Sequence, residues 1–87
     1  MDYNMNEVIT TILEEVKKLP DGTETSTFQL LQKLFPDLDI STKDLFEIEK
    51  MVIEYAEADG IILDKSKYDG ATVGLPFHIA FVKRMKD

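Results

Sequence analysis

Cysteine and tryptophan are missing from this chain of 87 residues, and histidine occurs once, at His78. Without cysteine there can be no disulfide, no thiolate nucleophile and no cysteine-bearing metal site. A reducing cytoplasm suits such a chain, and that is the expected location. A single histidine has no second histidine or cysteine to join it as a metal pair, and at an alternating strand position it reads as a surface or edge residue. Apolar runs last only a few residues, well short of the roughly 20 that a membrane helix needs. The N-terminus is acidic and polar, without the basic-then-apolar order of a signal peptide, so no membrane association is expected. Four glycines and three prolines are too few for a linker or a low-complexity chain; here they act as punctuation.

Positive charge is also scarce. Ten Lys and Arg face 17 Asp and Glu, for a net charge of −7. The imbalance is uneven: residues 1–60 hold 14 acids and five bases (−9), while residues 61–87 hold three acids and five bases (+2). Such a chain is repelled by phosphate backbones and anionic lipid, except at its C-terminal end. With 44% hydrophobic residues it can still build one core, so a single domain over residues 1–87 is expected.

The richest stretch is Ser41 to Gly60. Ser41 is a good N-cap with Asp44 three residues on, and Asp44 and Glu47 place negative charge at the positive end of the helix dipole. Leu45, Ile48, Val52, Tyr55 and Ala56 recur at helical spacing and predict one apolar face. Phe46, Met51, Ile53 and Ala58 widen it, and Gly60 ends the helix in a left-handed C-cap. Upstream, Asn4 or Asn6 can cap a first helix whose stripe is Met5, Val8, Ile9, Ile12, Leu13, Val16 and Leu19. Leu19-Pro20-Asp21-Gly22 ends it with turn chemistry. Thr23 to Thr25, short, β-branched and polar, reads as a brief strand or as simply extended chain. Ser26 and Gln29 form a capping box for a second helix with Phe28, Leu31, Leu34 and Phe35 on its apolar face, ended by Pro36.

Beyond Gly60 the period falls to two. Ile61-Ile62-Leu63 predicts a strand, Asp64 to Gly74 a turn-rich loop marked by Asp69-Gly70, and Phe77, Ile79 and Phe81, alternating with His78, Ala80 and Val82, a second strand opening after Pro76. Helix, short strand, helix, helix, strand, strand is the order of a winged helix: α+β, three helices with a C-terminal β-hairpin. A hairpin simply covering a three-helix bundle is the alternative.

The run Leu-Pro-Asp-Gly-Thr at 19–23, followed by a helix ending Gln-Lys-Leu-Phe-Pro at 32–36, resembles small bacterial and phage-associated proteins of unknown function that carry a Leu-Pro-x-Gly-Thr motif and then a Leu-Phe motif. The likeness covers residues 8–84 in outline. It implies a winged-helix-like domain and supplies no catalytic residue. Members often carry a tryptophan ahead of the third helix, which this chain lacks.

Motifs that would carry chemistry do not survive inspection. Leu-Pro-Asp-Gly-Thr has Gly and Thr in the wrong order for a sortase signal. Asp37-x-Asp39-x-Ser41 opens like a calcium loop but has Thr42 where glycine belongs and Ile48 where a bidentate glutamate belongs. No phosphate loop or nucleophile elbow is present. The expectation is a non-enzymatic domain with no cofactor and no metal, acting on another protein as a monomer or weak homodimer. Its partner face would be the acidic side of the third helix, at Glu47, Lys50, Glu54 and Glu57, regulatory or mimicking nucleic acid. The alternative is a weak nucleic-acid binder using the basic wing within residues 65–86, at Lys65, Lys67, Lys83 and Arg84.

Overall fold

A computed structural model describes residues 3–65 and 80–85. Helix α1 spans Met5–Lys18, strand β1 Glu24–Thr25, helix α2 Thr27–Leu34, helix α3 Thr42–Ala58, strand β2 Ile61–Asp64 and strand β3 Phe81–Met85. The fold is mixed α+β.

Each helix begins at the cap its sequence offers. Asn4 accepts the Glu7 N–H at 3.1 Å, Ser26 the Gln29 N–H at 3.1 Å and Ser41 the Asp44 N–H at 3.2 Å. Each bond satisfies one of the amide groups that an α-helix leaves without an internal partner. Gly60 closes α3 with φ +84°, its N–H donating to Glu57 O at 3.0 Å. No residue of another type takes a positive φ, and only Gly22, at +90°, joins it among the described residues.

The core is where the three helices and the sheet meet: Ile12 and Val16 from α1, Leu30 and Leu31 from α2, Ile48, Val52 and Ala56 from α3, Ile61 and Leu63 from β2, and Phe81 from β3. Each large apolar side chain so removed from water contributes roughly 1.5–3 kcal/mol. Two predicted stripes shift at their edges. Tyr55 is 44% exposed, because its place on the helix lies outside the arc of Ile48, Val52 and Ala56. On α2 the buried residues are Thr27, Leu30 and Leu31, while Phe28, Leu34 and Phe35 are half-buried. The packed face of α2 is thus turned about one residue from the one its phenylalanines suggest.

Among the described residues the sheet has three antiparallel strands in the order β1-β3-β2, with Thr25 opposite Phe81 and Leu63 opposite Lys83. The brief strand that Thr23 to Thr25 allowed is present as β1, and the arrangement differs from the two-strand hairpin expected from the sequence in that β1 joins the sheet and β3 lies between its two neighbours. The second strand was expected to open at Phe77; Phe77, His78 and Ile79 lie outside the described residues, as does the Asp69-Gly70 turn, and β3 runs on past Val82 to Met85.

The Leu19–Thr23 turn explains the central place of β3. Gly22 N–H donates to Lys83 O at 2.7 Å and Lys83 N–H to Thr23 O at 2.9 Å. The Asp21 carboxylate accepts the Met85 N–H at 3.1 Å, extending the ladder by one side chain. Thr23 Oγ1 donates to Pro20 O at 2.6 Å and holds the turn itself. Helix termini are tied by ion pairs, Lys17 to Asp59 at 3.3 Å and Lys33 to Glu15 at 2.7 Å. The Lys33 hydrogen bond holds the Glu15 carboxyl below the usual carboxylate range.

Candidate functional site

Helix α3 turns Leu45, Ile48, Val52 and Ala56 inward, so the residues half a turn away face solvent. Glu47, Lys50, Glu54 and Glu57 lie there, all exposed. Spacings of three, four and three residues set them in one row along the helix. None of the four forms an ion pair with another described residue, in contrast to Glu49, bonded to Lys65 at 2.8 Å, and Asp59, bonded to Lys17. Their charges therefore act outward, on solvent and on whatever approaches.

Phe46 stands beside this row and is 41% exposed. Half-buried Ile53 lies two turns along on the same side, with Lys50 and Glu57 between and beyond. The pattern is an apolar strip with a charged margin. Exposed aromatics and charged rims are features that protein contacts share.

The basic positions fare differently. Lys83 was expected on the surface of a wing; it is 3% exposed. It follows Phe81 on the core side of β3, and its ammonium donates to the carbonyls of Lys17, at 3.2 Å, and Leu19. Those carbonyls end α1, where the helix dipole favours a cation. Lys83 is therefore a fastening between β3 and α1 and presents no charge to a ligand. Lys65 is bonded to Glu49, and Arg84, exposed, donates from Nε to Asp64 at 2.9 Å. Lys67 lies outside the described residues. The structure thus sets the four α3 positions in one exposed row, buries Lys83, and pairs Lys65 and Arg84 with carboxylates.

At the N-terminal end of α3, the Tyr3 hydroxyl donates to the Asp44 carboxylate. That hydrogen bond, with burial and the negative charges of Asp44 and Asp39 added, pushes the Tyr3 phenol up to about 12. Asp37, Asp39 and Ser41 are exposed on the loop before α3. Among the described residues no three His, Cys, Asp or Glu side chains gather as a metal-ligand group, and no helix is long and apolar enough to cross a membrane.

Two features escaped the sequence. The Tyr3–Asp44 bond joins residues 41 positions apart and has no local signal. The burial of Lys83 had one: continuing the alternation of Phe77, Ile79 and Phe81 by a single step puts residue 83 on the apolar side. Comparison of the chain with protein-family models, with curated proteins and with solved structures finds no match in any of the three.

Proposed function

We propose that this protein is a non-enzymatic, winged-helix-like domain of the cytoplasm that works by binding another protein through the outer face of α3. The element order supports the winged-helix-like reading. The observation that carries the functional reading is Phe46: a large aromatic left 41% in water, beside a row of Glu47, Lys50, Glu54 and Glu57 whose charges are not spent on ion pairs with other described residues. A basic partner satisfies the carboxylates, and its apolar centre covers Phe46 and Ile53. With Glu54 and Glu57 one turn apart and Glu47 two turns before Glu54, the same face can occupy a phosphate-binding groove in place of nucleic acid.

The wing-led alternative has less to draw on, since Lys83 is buried and Lys65 and Arg84 each hold a carboxylate. The test is a photo-crosslinking amino acid placed at position 46 in the cell that makes the protein. The expected product is a crosslink to one protein, lost when Glu47→Lys and Glu54→Lys are combined with it. Crosslinks that persist after charge reversal, or none at all, overturn the reading.

A further inference from the structure

Three hollows with shared walls lie around the connection between α2 and α3, and none is lined by Phe46, Glu47, Lys50, Glu54 or Glu57. One, of about 210 Å³, is walled by Phe28 and Leu31 of α2, by Phe35 at its C-cap, by Leu38 and Ile40 of the connection, and by Leu45 of α3. A second, of about 250 Å³, shares Phe35 and Leu38 and reaches Glu7. A third, shallow and of about 510 Å³, runs past Tyr3 to Asp39 and Asp44, and Asp39 also lines the first. The turned packing of α2 makes this arrangement: with Leu30 and Leu31 committed to the core, Phe28 and Phe35 remain half-buried as walls.

The first hollow, whose apolar walls are joined by the polar Gln32 and Asp39, is below the range of about 300–1,000 Å³ typical of a small-molecule site, which suits a single inserted side chain better than a cofactor. The polar margin has one sign. Asp39, Asp44 and Glu7 line the hollows, Asp37 is exposed on the same connection, and among the described residues no Lys or Arg lines any of the three. Lys33, the cation at the end of α2, is held by Glu15 on the α1 side.

We propose that this groove is a docking site for a linear protein segment that inserts one aliphatic or aromatic side chain between Phe28, Phe35 and Leu38 and sets a Lys or Arg, within about three residues of it, against Asp39. The anchor follows from the volume and the apolar walls. The cation follows from charge complementarity, which across an interface selects partners by making like charges costly. The anchor occupies a pocket while the acidic rim fixes direction and register, as apolar pockets and charge divide the work in other peptide-binding grooves.

The test uses the whole protein and two probes. Random 12-residue peptides displayed on phage are selected against it, and synthetic peptides of the enriched sequences are titrated into ¹⁵N-labelled protein. The expected consensus pairs Leu, Ile, Met or Phe with a nearby Lys or Arg. The largest shifts fall at Phe28, Phe35, Leu38 and Ile40, and Asp39→Lys, an exposed loop change, weakens binding by about tenfold or more. Leu38→Glu abolishes it; should that variant unfold, Asp39→Lys decides alone. Peptides without a basic residue, shifts centred on Phe46 and Glu54, unchanged affinity in Asp39→Lys, no enrichment, or a homodimer that Leu38→Glu separates would each overturn the proposal. Loss of the α3 contact leaves this groove untouched, so the two readings fail separately.

Discussion

Lys83 carries the largest single correction to a residue-by-residue reading, and its energetics follow from its acceptors. Its ammonium, in a residue only 3% exposed, donates to two carbonyls at the end of α1 and pairs with no carboxylate among the described residues. Replacing it by methionine keeps the apolar stem but leaves the Lys17 and Leu19 carbonyls without that donor. The expected cost is about 1.5–3 kcal/mol, the value of a hydrogen bond to a charged group. Urea midpoints for Lys83→Met and for the exposed control Lys50→Met check it: only the first should move. Tyr3 gives a second test at this scale. Its phenol is near 10 in the unfolded chain and is pushed up to about 12 in the fold by the Asp44 carboxylate. The folded state therefore holds that proton more tightly, so the stabilisation is complete below about pH 10 and is lost as pH rises through about 12. Tyrosinate absorbance across that window, wild type against Tyr3→Phe, should show one late-titrating tyrosine that the variant lacks.

Among the elements, the helices were legible because everything that specifies them is local. Caps at Asn4, Ser26 and Ser41 and the stop at Gly60 sit within a turn of the segments they bound. The sheet was less so: β3 pairs with Glu24–Thr25 and with Ile61–Asp64, and nothing near Phe81 announces either partner. The groove was hidden for the same reason, since it joins α2, the α2–α3 connection and the N-terminal residues, and its phenylalanines read as core. The acidic face of α3 needed only helical periodicity, so its four residues came together as expected from spacing. Gly60 provides the test at this scale. A Cβ there meets nothing within 4 Å, so the cost of a side chain is conformational alone. Gly60→Ala should lose about 1 kcal/mol, Gly60→Val more, and Gly60→Asn less, because asparagine tolerates left-handed backbone. Equal midpoints for glycine and alanine would show that α3 does not end in this cap.

For the whole molecule the deciding quantity is where charge reaches the surface. The chain carries −7, its −9 portion includes the outer face of α3, and the compensating bases of the C-terminal part are partly absorbed: Lys83 by α1, Lys65 by Glu49 and Arg84 by Asp64. Non-specific DNA affinity comes mostly from counterions released as Lys and Arg neutralise phosphates. A surface whose helix presents Glu47, Glu54 and Glu57 against Lys43 and Lys50 has little to release. Wild-type protein should therefore show no binding to random duplex DNA tighter than about 10⁻⁴ M near physiological salt. Glu47→Lys combined with Glu54→Lys reverses the sign of the row and should create binding whose logarithm falls steeply with the logarithm of salt. Any residual low-salt binding of the wild type should vanish in Lys65→Glu with Arg84→Glu. Fluorescence anisotropy on a labelled duplex across a salt series measures all three proteins. Micromolar wild-type affinity with a steep salt slope would remove the protein-binding reading of α3 and leave the basic end of the chain as the functional surface.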